Sequence, residues 1–153
     1  MKKFLCCLWI LGISGGLRSI SAVDDVSDSA VGAAQSWLAL VDSGKYGESW
    51  DEAAQILKSQ ITKDQWVKKL NADRFPLGKL QSRTLKSTVF YTKSLPGVPE
   101  AEFVIIQFDT TFERSKSFVE MITPTKEKDG QWRTSGYVID IWRNMSRALT
   151  RST

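Results

Sequence analysis

The sequence predicts an α+β domain in which three helices precede a four-stranded antiparallel sheet and cover one of its faces. Apolar residues recur at helical spacing as far as Phe75, and they alternate with polar residues after Gly78. Clusters of Gly, Pro, Asp and Ser separate the apolar runs. The length of 153 residues fits one domain, and a content of 42% hydrophobic residues excludes a disordered chain.

The helices are predicted from their apolar faces and from the residues at their ends. The first helix begins among the possible N-caps of Asp24–Asp28, ends at Asp42-Ser43-Gly44, and carries Ala30, Ala34, Trp37, Leu38 and Val41 on one face. The apolar face of the second helix consists of Tyr46, Trp50, Ala53 and Leu57. Thr62 and Gln65 form a capping box that opens the third helix, which ends at Phe75–Gly78.

The strands are predicted from the alternation of side chains between two faces and from the turn residues that separate the runs. The first strand has Leu85, Ser87, Val89 and Tyr91 on one face and Thr84, Lys86, Thr88 and Phe90 on the other. After a turn at Pro96-Gly97, the remaining strands are centred on Phe103–Phe108, Ser117–Thr123 and Gln131–Ile139, with a turn at Asp129-Gly130 before the last. Gly136 lies between Trp132 and Tyr137 and predicts a bulge or bend in the fourth strand.

The N-terminus has the plan of a cleavable signal peptide. Lys2 and Lys3 precede the apolar run Phe4–Ile13, and small residues follow, so cleavage is expected after Ser21 or Ala22. The alternative is a buried N-terminal helix. A lipoprotein is excluded because both cysteines lie at the beginning of the apolar run. We therefore expect residues 1–22 to be removed, 23–142 to form a single domain and 143–153 to be a short basic tail, in a periplasmic or secreted protein.

Removal of the signal peptide changes the charge of the chain. Loss of Lys2, Lys3 and Arg18 reduces 21 basic residues to 18 against 17 acidic ones, which leaves a net charge near +1. This near-neutral balance gives no support for a nucleic-acid partner. No later stretch is long and apolar enough to predict a transmembrane segment.

The residue types that are missing exclude several kinds of chemistry. The sequence has no histidine, and both cysteines lie in the predicted signal peptide. A Ser-His-Asp triad, a cysteine nucleophile and a zinc site built on His or Cys are therefore excluded. Glu48, Asp51 and Glu52 are the clustered carboxylates that an oxygen-ligand metal site would need, but their spacing favours a solvated helix start. We expect no metal and no cofactor.

One catalytic arrangement remains possible, a carboxylate base beside a tyrosine hydrogen-bond donor. The candidates are Glu120 or Asp109 as the base, with Tyr91 or Tyr137 as the donor. As an alternative, the same four residues together with Arg83 could bind a ligand. The alternative for Glu120 is a salt bridge across the sheet to Arg83 or Lys116, because a carboxylate among apolar residues usually has a basic partner.

Aromatic and basic residues also allow two interpretations each. The tryptophans of the predicted helices are expected in the core, with a ligand-stacking cluster as the alternative; they are Trp37, Trp50 and Trp66. The arginines of the tail recur every four residues and are expected to be solvated, with contact to anionic lipid or a partner as the alternative; they are Arg143, Arg147 and Arg151.

Several segments resemble a known family, namely Ala34–Leu38 with Val41–Tyr46 and Ser49-Trp50, Pro76–Gly78 with Ser82-Arg83, and Gly130–Arg133 with Ser135–Tyr137. Together they are similar to the bacterial exported family called domain of unknown function 4019. Phe112, Lys116 and Glu120 also fit its pattern. The resemblance implies a cystatin-like or nuclear-transport-factor-2-like arrangement, in which the helices pack on the concave face of a curved sheet. It implies no established activity.

These observations predict an exported, non-catalytic module that binds a small apolar ligand or a protein. The first alternative is an enzyme of the isomerase or dehydratase type, with Glu120 or Asp109 as the base and Tyr91 as the donor. The second is a self-associating structural protein, because many sheets of this superfamily form a homodimer through their outer face.

Overall fold

The computed structural model describes residues 22–91 and 102–141 and shows an α+β fold in which helices precede a single sheet. The helical part consists of α1 (Ala22–Asp42), α2 (Tyr46–Asp51), α3 (Gln55–Gln60), α4 (Lys63–Arg74) and a 3₁₀ turn at Phe75–Leu77. The predicted signal peptide (apart from Ala22), the Pro96-Gly97 turn and the basic tail lie outside the described residues. Within the described part of the chain, no helix has the length and apolarity needed to span a bilayer.

The sheet has the predicted number and order of strands. β1 (Leu80–Tyr91), β2 (Phe103–Phe112), β3 (Ser115–Lys126) and β4 (Trp132–Ile141) lie side by side in chain order, and each neighbouring pair is antiparallel. The turn between β3 and β4 contains Gly130 with φ of 80°, a left-handed conformation that glycine adopts without steric cost. The prediction of a four-stranded antiparallel sheet is confirmed, and the sheet is open, with β1 and β4 at its edges.

Two short helices, α2 and α3, replace the predicted second helix. The chain becomes extended at Ala54, with φ of −63° and ψ of 151°. The N–H of Ala54 donates to Thr134 O of β4 at 2.9 Å, so a bond to the sheet takes the place of a continuing helical bond. The prediction of three helices was therefore wrong, because the described residues form four α-helices.

A β-bulge interrupts the alternation of β1. Leu85 pairs with Phe108, and Ser87 pairs with Gln107, the next residue along β2. Lys86 is therefore the extra residue of a β-bulge in β1. Because side chains alternate between faces, one extra residue reverses the face on which every later side chain lies.

This reversal separates residues that were predicted to share a face. Arg83 and Leu85 lie on the face that meets the helices, whereas Val89 and Tyr91 lie on the opposite face. The prediction that Leu85, Val89 and Tyr91 share one face was wrong for this reason. We call the face opposite the helices the outer face.

The predicted irregularity near Gly136 is confirmed. Thr123 pairs with Gly136, but Pro124 pairs with Thr134, so Ser135 is the extra residue of a second register shift. The Ser135 hydroxyl donates to the Thr123 carbonyl at 2.8 Å, which satisfies a backbone acceptor at the shift.

The helices and the sheet share one hydrophobic core. Its buried members include Ala30, Ala34, Leu38, Val41, Leu57, Leu70, Val104, Ile106, Phe108 and Ile122. Trp37 and Trp66 are 4% and 3% exposed. Their indole N–H groups donate to Ser49, to its carbonyl at 2.7 Å and its hydroxyl at 3.0 Å. Trp50 is partly buried against the same core, so packing is confirmed as the role of these three tryptophans.

Candidate functional site

A cluster of charged and polar side chains lies between the helices and the sheet. It comprises Asp42, Arg74, Arg83, Thr110, Glu120 and Tyr137, one residue from each of α1, α4, β1, β2, β3 and β4. We call it the buried charge cluster. Two carboxylates and two guanidinium groups balance its formal charge, which matters because an unpaired charge in a protein interior is strongly destabilising.

Glu120 is at the centre of the buried charge cluster and is 0% exposed. Its Oε1 accepts hydrogen bonds from Arg74 Nη1 at 2.9 Å and Tyr137 Oη at 2.6 Å. Its Oε2 accepts from Arg83 Nε at 2.6 Å and Thr110 Oγ1 at 2.7 Å. Since a carboxylate offers about four lone-pair sites, these donors occupy all of them. Glu120 therefore has no free acceptor site with which to take a proton from a substrate.

Asp42 forms the second anionic centre of the cluster. Arg83 donates to it with two nitrogens, at 2.6 and 3.0 Å, and Arg74 donates to Asp42 Oδ1. Asp42 is the last residue of α1, where a negative charge is unfavourable next to the helix dipole, and the two guanidinium groups offset this effect. The guanidinium carbon of Arg74 also lies 4.5 Å from the centroid of the Phe112 ring. The cluster thus ties the ends of α1 and α4 to the sheet.

The helical and strand periods explain how these side chains meet. Asp42 follows Leu38 by four residues, and Arg74 follows Leu70 by four, so each continues the buried stripe of its helix. Thr110 continues the buried face of β2. Sequence reasoning missed Asp42, Arg74 and Thr110 as members of a site. The signal that could have found them is a polar residue at the next position of an apolar stripe.

Burial and the neighbouring charges determine the protonation of the cluster. Burial, followed by the negative charge of Glu120, raises the pKa of Tyr137 well above its ordinary value, so Tyr137 remains a neutral donor. Burial alone would lower the pKa of Arg83, but its hydrogen bonds to Asp42 and Glu120 outweigh burial and raise that pKa. Tyr137 and Arg83 therefore both remain hydrogen-bond donors at neutral pH.

Three of the predicted site residues meet in this cluster, namely Arg83, Glu120 and Tyr137. The salt bridge between Arg83 and Glu120, which was the alternative to a ligand-binding or catalytic role for Glu120, is confirmed at 2.6 Å. The side chain of Lys116, the other proposed partner, lies outside the described residues.

The other two predicted site residues lie on the outer face. The Asp109 side chain is 59% exposed and forms a salt bridge with Lys86 at 3.0 Å. Tyr91 is 40% exposed, and its ring stacks on Phe103 at a centroid distance of 5.0 Å. Since Phe103 precedes Asp109 by six residues in β2, roughly 20 Å separate the two ends of that segment. The predicted pairing of Tyr91 with Glu120 or Asp109 is therefore wrong.

The outer face carries a group of apolar side chains that we call the outer apolar patch. Its members are Val89, Tyr91, Phe103, Ile105, Met121 and Val138, which pair across the strands as Val89 with Ile105, Tyr91 with Phe103 and Met121 with Val138. Val89 and Val138 are 46% and 48% exposed. The patch contains no charged residue. An apolar surface of this kind is typical of an interaction site.

A groove of about 300 Å³ runs between α1 and β4. The residues that line it include Ser36 and Leu40 of α1, Glu52, and Trp132 and Arg133 of β4. Arg133 forms salt bridges with Glu127 at 2.9 Å and with Asp129, so its guanidinium is held at the rim. The groove combines aromatic surface with a few polar groups, as small-molecule sites do.

A family described as "Protein of unknown function (DUF4019)" matches residues 33–137. This range begins in α1, ends at Tyr137 and includes every member of the buried charge cluster. No curated protein and no solved structure matches the chain significantly. Because the family match covers more than half of the chain, the protein belongs to this DUF4019 family.

Proposed function

We propose that the protein is an exported, non-catalytic interaction module, and that its outer apolar patch binds a second copy of the same chain. The observation that carries the proposal is the exposure of apolar side chains on the outer face. A sheet that is covered on one side only normally has polar residues on the other. Val89, Tyr91 and Val138 depart from that rule, which is expected where the second face is also covered in the assembled protein.

The composition of the outer apolar patch suits self-association. In a two-fold symmetric dimer the same patch lies on both sides of the interface, so any charge would face its own copy or a close neighbour. The patch avoids this repulsion because none of its six residues is charged. The whole outer face, four strands of about ten residues, covers roughly 19 by 33 Å, or about 600 Å², and the patch is the uncharged part of this face.

The geometry of the carboxylates supports the non-catalytic part of the proposal. Glu120 is enclosed and all of its acceptor sites are occupied, and Asp109 is exposed and paired with Lys86. Neither is a buried base with a free lone pair, which an isomerase or dehydratase of the predicted type would need. An isomerase activity that disappeared in a folded Glu120→Gln variant would contradict this part.

We also propose that the protein is exported and that its fold is cystatin-like. The signal-like N-terminus supports export, and the order of helices and strands supports a cystatin-like arrangement with the helices on a concave sheet face. N-terminal sequencing of protein released from the periplasm is expected to begin at Ala22 or Val23. Retention of Met1 in the released protein would contradict export by a cleaved signal.

Sedimentation velocity of three variants tests the interface. We expect the natural protein to be a dimer, and Val89→Glu and Val138→Glu to be monomers, because each places an exposed carboxylate within the patch. Leu85→Glu is the matched control: Leu85 is 47% exposed on the same strand as Val89 but lies on the opposite face, so this variant should remain dimeric. A monomeric natural protein, or equal disruption by Leu85→Glu, would contradict the proposed interface.

The groove beside Trp132 favours a second candidate function, the binding of a small ligand. Trp132 offers aromatic surface to a small apolar molecule, and the guanidinium of Arg133, already paired with Glu127 and Asp129, gives no support for an anionic one. Native mass spectrometry should then detect a co-purifying molecule that is lost in Trp132→Ala but retained in Val138→Glu. Natural protein that carries no such molecule would exclude this candidate.

A further inference from the structure

The turn between β3 and β4 contains the pair Asp129-Gly130. Asp-Gly occurs once in the chain, and Asn-Gly does not occur. Asp-Gly pairs are prone to conversion into isoaspartate, because glycine has no side chain to hinder attack by its nitrogen on the preceding carboxyl group. The Asp129 side chain is 52% exposed, and no described atom lies within 4 Å of the place that a Cβ of Gly130 would occupy. Crowding therefore does not protect this pair.

The conversion needs only the two residues and water. The nitrogen of Gly130 bonds to Cγ of Asp129, and one carboxyl oxygen leaves as water with the acid proton and the amide proton, which gives a five-membered succinimide. Water then opens one of the two C–N bonds of the ring. Opening at the Asp129 main-chain carbonyl leaves the main chain running through Cγ, so the product has the same mass and one more backbone carbon. The first step requires the neutral acid, because a carboxylate resists attack by a nucleophile.

Hydrogen bonds hold both reacting groups of the pair. Arg133 donates to both oxygens of the Asp129 carboxylate, from Nη1 to Oδ1 at 2.9 Å and from Nη2 to Oδ2 at 2.7 Å. The N–H of Gln131 also donates to Oδ1, at 3.0 Å. The N–H of Gly130 donates to the Glu127 carbonyl at 2.8 Å, so the attacking nitrogen is bound elsewhere in the turn. Both arrangements must open before the nitrogen and the carboxyl carbon can react.

The bonds to the carboxylate also keep it in its unreactive, ionised form. The hydrogen bonds from Arg133, followed by that from the Gln131 N–H, lower the pKa of Asp129 to about 2. Compared with an ordinary aspartate of pKa about 3.9, the neutral acid is then roughly 80-fold scarcer at neutral pH. This scarcity adds to the restraint that the geometry of the turn provides.

We propose that Asp129-Gly130 is a site of isoaspartate formation, and that Arg133 suppresses this reaction by binding both oxygens of the Asp129 carboxylate. The conversion would add a carbon atom to the backbone of a turn that borders a cavity beside α1, where Gly130 and Gln131 are lining residues. A surface salt bridge such as this one contributes little to folding stability. The role of Arg133 is therefore to protect the covalent structure of the turn.

Incubation of the complete mature protein at neutral pH and physiological temperature tests the proposal. Isoaspartate is measured by methylation with protein isoaspartyl methyltransferase and by digestion with a protease that cleaves before aspartate but not before isoaspartate. A synthetic peptide of residues 126–133 gives the rate without the folded turn. The natural protein should convert at least about tenfold more slowly than this peptide. Arg133→Gln should convert about tenfold faster than the natural protein, because Arg133 is the largest cause of the low pKa of Asp129.

Glu127→Gln is the matched control for the other salt bridge of Arg133. Arg133 Nη1 donates to Glu127 Oε2 at 2.9 Å, so this variant removes that charge partner but leaves the pair of Arg133 with Asp129 in place. Its rate of conversion should equal that of the natural protein, and circular dichroism should show that both variants are folded. The proposal is overturned if the natural protein converts as fast as the peptide, if Arg133→Gln is no faster than the natural protein, or if Glu127→Gln is as fast as Arg133→Gln.

Discussion

Replacement of Glu120 by glutamine tests the role of the buried charge cluster. The amide has nearly the same volume as the carboxylate, but only its oxygen can accept hydrogen bonds. Two of the four donors that now contact Glu120, either Arg74 with Tyr137 or Arg83 with Thr110, would then face an NH₂ group. The variant also leaves one positive charge of the cluster without its counterion.

We expect Glu120→Gln to lose much of its free energy of unfolding, because Glu120 is 0% exposed and water cannot replace the lost partner. Removal of one member of a buried ion-pair network costs about 3–5 kcal/mol. Against a typical domain stability of about 5–15 kcal/mol, this corresponds to a decrease in Tm of roughly 10–20 °C. We expect Glu120→Gln to fold, with a clearly lower urea midpoint.

Urea denaturation, monitored by tryptophan fluorescence and by circular dichroism, measures this loss of unfolding free energy. Glu48→Gln is the matched control, because the Glu48 side chain is 58% exposed and forms a surface salt bridge with Lys45 at 3.1 Å. The free energy of unfolding of this control should change by less than about 0.5 kcal/mol. A loss of less than about 1 kcal/mol in Glu120→Gln, or an equal loss in the control, would refute the structural role assigned to the cluster.

Three further predictions follow from individual contacts. Ser49→Ala removes the acceptor of the buried Trp66 indole N–H and should cost about 1–3 kcal/mol in urea denaturation, and an unchanged midpoint would contradict it. The pKa of Tyr137 is raised in the folded protein, so the stability from its neutral hydroxyl is present below about pH 10 and is lost as pH rises further. The difference in unfolding free energy between natural protein and Tyr137→Phe should therefore shrink above about pH 10, and a constant difference would refute this. Hydrogen bonds from Arg133 lower the pKa of Asp129 to about 2, so its contribution is present above about pH 4 and is lost as pH falls toward 2. An NMR titration of Asp129 should give a midpoint near 2 that rises in Arg133→Gln, and an equal midpoint in both proteins would contradict this assignment.

Local patterns were sufficient to predict most of the fold. The capping box of α4 is present with both bonds, from the Gln65 N–H to Thr62 Oγ1 at 3.3 Å and from the Thr62 N–H to Gln65 Oε1 at 3.1 Å. Strand order and the turn at Gly130 followed from alternation and turn residues. These features depend on residues that are close in sequence, so a single sequence is enough to predict them.

Features that depend on distant partners could not be predicted in the same way. The break between α2 and α3 needs the Thr134 carbonyl, which lies in the last strand. The bulge at Lys86 leaves the alternation of the sequence intact, and it becomes visible only when β1 is paired with β2. That bulge is also the reason why Arg83 joined the candidate site and Tyr91 did not.

Some contacts of the buried charge cluster could likewise be predicted from the sequence, and others could not. The pair of Arg83 with Glu120 could be anticipated, because a carboxylate on an apolar strand face needs a basic partner. Asp42 and Arg74 could not be assigned to it, since their helix stripes do not reveal which part of the sheet they meet. Their participation depends on how the ends of α1 and α4 are placed over the sheet.

Native mass spectrometry of the protein released from a periplasmic extract tests the central proposal most directly, because it reports subunit number and bound molecules together. A dimer without a bound molecule is the result that self-association through the outer apolar patch predicts. A monomer, with or without a small molecule attached, would contradict that function.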